Sequence, residues 1–320
     1  MNKKALFASV SALILALTSH AAVADTNSVY VEQTGTSADT GTIAQTGSDD
    51  RIGSSATHSV QSGATDSVNL TQTGDSNSID FTQSGNTATA TATQTGNSNS
   101  LTISQAGTGD TATVTQVGSD TASFTQNSVS STATIHQNTA GETASIEQIG
   151  GTNTSTALIT QGGTGDTADI SQNGGVGNNG TITQSGTMGI ASISQTGSGG
   201  QATITESGAS DMASILQVGN TGMATISLSG SGDNGHIAQS GTSSTGTITV
   251  TGNTNTASIL QNGTGTTANQ ATILQPGNNN NGFISQNGNA DVASINQLGN
   301  FEIASVTQAG NGHSMTITQH

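Results

Sequence analysis

Cysteine and tryptophan are absent from the 320 residues, proline occurs once, at Pro276, and aromatic residues make up 2% of the chain. Without cysteine no disulfide can hold the fold, even in an oxidising compartment. Stability has to come from backbone pairing and stacked side chains. Basic residues are almost as scarce: Lys3, Lys4 and Arg51 stand against 19 carboxylates, with a formal net charge of −16. A nucleic-acid binder needs a basic footprint, so that class is excluded, and phosphate-rich membrane surfaces are excluded as partners for the same reason. The one apolar run, Ala5 to Thr18, is too short to be counted as a membrane span, and no later segment reaches that length, so no membrane insertion is expected.

That run has the layout of a secretory signal peptide. Lys3 and Lys4 form the basic region, Ala5 to Thr18 the apolar region, and Ala22-Val23-Ala24 an A-x-A cleavage site. The expected division is a signal peptide over 1–24, a short segment over 25–28, and one repetitive body over 29–320. Cleavage leaves Arg51 as the single Lys or Arg against 19 carboxylates, a formal net charge of −18.

What is present in quantity is Gly, at 43 residues, together with Ser, Thr and Asn. Such a composition usually signals disorder. Here the apolar residues keep strict phase, which disorder has no reason to preserve. A phrase recurs about every eleven residues, as in Ala191-Ser192-Ile193-Ser194-Gln195-Thr196-Gly197 and Ala257-Ser258-Ile259-Leu260-Gln261-Asn262-Gly263. With the Gln position as ruler, 26 arms follow from Gln33 to Gln319, and only Glu206, Leu228 and Val250 replace Gln. Two residues before it lies a large apolar residue in all arms except those with Ser59 and Ala92; eighteen of these are Ile. Four residues before it Ala is preferred. Offsets of two place these positions on one face of a β-strand. Gly two residues after the Gln reads as the turn residue, and the longer steps, such as 45 to 61 and 261 to 275, as insertions in turns.

A unit this short cannot bury an apolar face alone, so the units must stack. The fold expected is all-β, a β-solenoid of about 13 strand-turn-strand rungs with two facing parallel sheets. At a strand spacing of about 4.8 Å the body would be roughly 60 Å long. Equivalent residues would then form ladders. The core ladder is Ile170, Ile182, Ile193, Ile204, Ile215, Ile226, Ile237, Ile248, Ile259, Ile273, Ile284 and Ile295. The amide ladder is Gln72, Gln83, Gln94, Gln105, Gln116, Gln172, Gln195, Gln217, Gln239, Gln261, Gln286, Gln297, Gln308 and Gln319. Its side-chain amides would pair between rungs, leaving no buried polar group unsatisfied.

No catalytic, cofactor-binding or metal site is expected. His58, His136 and His236 fall at outward strand positions, scattered along the chain. Asp49-Asp50 reads as a solvated loop. Gly162-Gly163-Thr164-Gly165-Asp166 resembles a calcium-binding nonapeptide once, in the wrong period. Asp, Asn and Gly at the turns read as turn chemistry, with gatekeeping against premature assembly as the alternative. Outward pairs Thr181/Thr183, Thr203/Thr205, Thr225/Ser227 and Thr247/Thr249 come from alternate arms and would share a sheet. Such a flat array supports a second function class, a secreted ice-binding solenoid.

Gly-x-x-Asn-x-Ala-x-Ile-x-Gln phrasing behind a secretory signal resembles the curlin repeat family, the subunits of bacterial curli fibres, over residues 29–319. The resemblance implies a non-enzymatic fibre subunit, exported through the periplasm to the cell surface, forming extracellular functional amyloid for adhesion and biofilm. It implies as partners further copies of the chain, other curli subunits, an outer-membrane secretion channel and a nucleator. More repeats are present than the family's usual five, the N-terminal targeting stretch is short or missing, and major versus nucleating subunit stays open. Independently of the family, neither end has room for a cap, and uncapped rungs template the next subunit. The polymerising ends are expected at Val29, Val31 and Gln33, and at Met315, Ile317 and Gln319. Self-repulsion at −18 predicts faster growth with acid or salt.

Overall fold

A computed structural model describes residues 12–17, 26–34, 39–56, 58–150, 154–263 and 267–320. Most of the expected signal peptide, residues 1–11 and 18–24, lies outside the described residues, as do 264–266 in the insertion before Gln275. The chain is all-β, and its contacts divide it into two units, Met1–Gln161 and Gly162–His320. Each unit is a β-solenoid in which alternate arms build two parallel sheets. Six rungs fall in unit 1 and seven in unit 2, thirteen in all.

Numbering the arms in sequence order, the odd arms of unit 2 run from Thr167–Asn173 through Ile190–Gln195, Met212–Gln217, Asn234–Gln239, Thr256–Asn262 and Asn281–Asn289 to Ile303–Asn311. The even arms run from Asn179–Gln184 to Ser314–Gln319. Pairing is parallel and in register, so each residue of unit 2 meets its equivalent 22–25 positions further on. Ile193 pairs with Ile215, and Ile215 with Ile237. On the even arms Ile204 pairs with Ile226, and Ile226 with Ile248. All of these are essentially fully buried. Each contributes on the order of 1.5–3 kcal/mol through burial. Unit 1 repeats the plan with a more varied core, Phe81, Ile103, Phe124 and Ile146 on odd arms and Leu70, Ala92, Val114, Ile135 and Ile159 on even arms.

Two expectations need correction. The long step from Gln45 to Gln61 is not absorbed in a turn. It interrupts the arm itself: Arg51–Ile52 pairs with Ser78 and Ile79, the chain loops out after Gly53, and Ser59–Gln61 rejoins the sheet. Ser59 then fills an apolar position because its Oγ accepts the backbone N–H of Phe81 at 3.1 Å. The second correction concerns glycine. Glycine two residues after the Gln is left-handed at Gly47, Gly74, Gly96 and Gly118, as expected, but elsewhere the left-handed turn position is usually four residues after the Gln and is often occupied by Ser or Thr, such as Ser210, Thr221, Ser243 and Thr254 at φ of 56–58°. Gly208, two residues after the Gln position, has no left-handed backbone. A Cβ there would lie 1.5 Å from the carbonyl oxygen of Gly230 in the next rung, so close stacking rather than turn geometry excludes side chains.

Candidate functional site: the buried polar columns

The residues singled out for chemistry are stacking residues. In unit 1 the even-arm column runs Gln45, Gln72, Gln94, Gln116, Gln137 and Gln161, each Nε2 donating to the next Oε1 at 2.8–3.1 Å. The odd-arm column runs from Gln33 through Gln61, Gln83, Gln105 and Gln126 to Gln148 at 2.6–3.0 Å. In unit 2 the odd-arm column is unbroken from Gln172 through Gln195, Gln217, Gln239, Gln261 and Gln286 to Gln308, at 2.8–2.9 Å. The amide also reaches across to the other sheet: Gln94 Nε2 donates to the Ser78 carbonyl at 3.2 Å, and Gln239 Nε2 to the Met223 carbonyl at 3.0 Å. One side chain therefore ties two rungs and two sheets. Strand periodicity puts it on the inner face, and the chemistry of a primary amide, donor and acceptor together, lets one residue type repeat without end.

The even-arm column of unit 2 is interrupted. Gln184 Nε2 donates to Glu206 Oε2 at 2.8 Å, the next two rungs carry Leu228 and Val250, and the column resumes from Gln275 to Gln297 and Gln319 at 2.8 and 3.0 Å. Among the described residues Glu206 Oε1 and Gln275 Oε1 have no hydrogen-bond partner. Glu206 suits the end of a column whose amides all donate forward. It accepts from Gln184 and sets no second N–H against Leu228. Burial pushes the Glu206 carboxyl up to about 7; the Gln184 hydrogen bond opposes this, and the Asp211 and Asp166 carboxylates add to it. No Lys or Arg occurs anywhere in residues 162–320 to offset those charges.

A second inward column escaped the sequence reading. It lies six residues before the Gln, an even offset and so on the same face. In it a side-chain oxygen accepts the backbone N–H of the equivalent residue one rung on. Asn77 donates to Asp50 Oδ1, Asn99 to Asn77, Asp120 to Asn99 and Glu142 to Asp120, all at 3.0–3.1 Å. Unit 2 repeats this from Asp211 through Asp233, Asn255 and Asn280 to Glu302 at 2.8–3.0 Å. Asp50 and Asp166 are therefore buried column members; Asp50 is not in a solvated loop. Burial raises the carboxyls of Asp66, Asp110, Asp120, Asp166 and Asp211, and takes Asp233 to about 6. The signal was in the sequence, since Asp or Asn recurs at this offset, but those residues are also the commonest turn formers.

Thr181, Thr203, Thr225 and Thr247 form one outward column and Thr183, Thr205, Ser227 and Thr249 another, in register. His58 stacks on Tyr30 with ring centroids 6.2 Å apart. At the first rung Val29, Val31 and Gln33 are buried, while on the last strand Met315 is exposed and Ile317 and Gln319 are half-buried. Strand Ala12–Leu17 pairs in parallel with Thr40–Gln45. Among the described residues no group of three or more His, Asp or Glu side chains is arranged to hold a metal ion.

A family model described as the curlin associated repeat matches residues 63–96 and again 96–124. Those spans open in the turn after Gln61 and cover the arms ending at Gln72, Gln83, Gln94, Gln105 and Gln116, where the Gln column is complete on both sheets and the second column is interrupted at Ala88. No curated protein matches the chain closely enough to count as a relative. The matched repeat and the solenoid point together to a structural protein of the curli type. The chain carries the curlin associated repeat, in two consecutive copies covering residues 63–124.

Proposed function

We propose that the chain is a subunit of extracellular curli-type amyloid fibres that support adhesion and biofilm. The observation that carries this reading is the equivalence of stacking partners: Gln meets Gln, Ile meets Ile, and an Asp or Asn oxygen meets the same backbone N–H rung after rung. A rung of a second copy offers the same groups in the same order, so adding a subunit needs no new chemistry. On this reading copies join through the rung of Val29, Val31 and Gln33 and the rung of Met315, Ile317 and Gln319. Residues 1–24 act as a secretory signal whose removal uncovers Thr40–Gln45. Export through an outer-membrane channel and templating by a nucleator are part of the same proposal, and rest on the curlin repeat alone.

The test is dilution of residues 25–320 from denaturant, followed by electron microscopy and amyloid-dye fluorescence. Fibres are expected; a chain that stays monomeric under all conditions sinks the proposal. Thermal hysteresis from that monomer would instead support ice binding through the registered Thr columns.

A further inference from the structure

The outward face of the odd arms in unit 2 is unusually apolar for a solvent-facing sheet. Ile190, Met212, Leu216, Leu260, Phe283 and Ile303 all point outward there and are exposed. They are not scattered. Ile190 pairs with Met212. Leu216, Ala238 and Leu260 occupy one column over three successive rungs, and Phe283 lies one rung on in the neighbouring column. Asp169 is the only carboxylate among the outward strand positions of this face, and His236 the only other ionisable group.

From this face we infer a lateral interface between two copies of the chain, packed sheet against sheet. The inference rests on the fibre reading, because neighbouring fibres would present the face to one another repeatedly. Three properties select a second copy as the occupant. The face carries Asp169 as its single carboxylate in a chain of strongly negative net charge, so two copies meet there with little repulsion. Its strands are parallel and in register, a regular array that suits two interdigitating sheets about 10 Å apart. Its size is also sufficient. Strands of about six residues are roughly 20 Å wide, and seven of them at about 4.8 Å cover roughly 34 Å. Two such faces would bury about 1,300 Å², within the ~1,200–2,000 Å² of stable protein interfaces.

The cysteine-free background makes the test direct. Ser258→Cys sits between His236 and Phe283 on this face, and Thr225→Cys lies on the outward face of the even arms. Since facing sheets are too far apart for a disulfide, a short bis-maleimide is the probe. Full-length chain carrying Ser258→Cys should cross-link to dimer at least tenfold faster than chain carrying Thr225→Cys. A second arm replaces Leu216, Leu260 and Phe283 together by Thr, which suits exposed strand positions. Paired or bundled wild-type fibres should become single filaments while seeded elongation keeps its rate. Equal cross-linking at the two positions, or bundling unchanged in the triple variant, overturns the interface and leaves the fibre reading standing. Absence of any fibre sinks the fibre reading, and the cross-linking ratio on soluble chain still decides the interface.

Discussion

On the outward side of the odd arms, unit 1 and unit 2 differ sharply. From Ser78–Gln83 to Thr143–Ile149 the outward strand positions of unit 1 are Ser and Thr, apart from Asp80, Glu147 and, at the strand ends, Asn127 and Ile149. The corresponding arms of unit 2 place Ile190, Met212, Leu216, Leu260, Phe283 and Ile303 there. Inside, the same arms are nearly interchangeable, with an unbroken Gln column in each unit. Inward positions are constrained by what the next rung must find. Outward positions answer only to strand propensity and to whatever they touch. The contrast therefore separates residues that build the stack from residues free to take on an interaction.

The largest expected effect tests the claim that the interiors are equivalent. Gln105→Leu in unit 1 and Gln239→Leu in unit 2 should each cost about 4 kcal/mol, since each orphans a donor and an acceptor in neighbouring rungs at roughly 1–3 kcal/mol apiece. Hydrogen exchange in each unit measures this, and clearly unequal costs would break the comparison.

Next in size is an asymmetry the columns themselves create. Glu206 ends a Gln column in unit 2, and unit 1 has no carboxylate in that position. Its folded-state pKa is raised to about 7, so ionisation is disfavoured in the fold. Its contribution is intact below the unfolded value near 4.5 and is lost as pH rises towards 7. Unit 2 should therefore weaken by about 3 kcal/mol between pH 4 and pH 8 through this group. Glu206→Gln should abolish that part of the slope. The expected pH dependence survives high salt, unlike general self-repulsion, which salt screens. Denaturant midpoints across this range decide it, and an unchanged slope in Glu206→Gln refutes the assignment.

The smallest effect should be the same in both units. Thr87 and Thr221 hold left-handed turn positions at φ of 56° and 57°. Asn tolerates that conformation better than a β-branched residue. Thr87→Asn and Thr221→Asn should each raise stability by about 0.5–1 kcal/mol, read from thermal unfolding. A gain in one unit only would mean that the turns are not equivalent.

Much of this architecture was legible because three offsets from one Gln, zero, minus two and minus four, share a strand face. Small, large and amide residues recur there, as at Ala191, Ile193 and Gln195. The fourth offset, minus six, was equally periodic but hidden by its composition. Asp211, Asp233 and Asn255 look like turn residues, and only burial shows their oxygens bound to the next rung. The interruption between Ile52 and Ser59 was invisible for a related reason. Spacing counts inserted residues, but which backbone groups find partners decides where the insertion leaves the sheet.

Sequence alone determined that the chain is built of stacked strands, because a period of two inside a period of eleven admits no other way to bury Ile with few aromatics and no disulfides. It also determined that the stack is acidic and nearly free of cations. Tertiary structure decided what each glycine is for, which carboxylates lose their water, and where the amide column stops. Those outcomes depend on the distance between one rung and the next: a carbonyl 1.5 Å from where a Cβ would stand, or a Leu228 where an acceptor would be needed. Residues adjacent in a stack are some twenty-two positions apart in the chain, and composition carries no record of that neighbourhood.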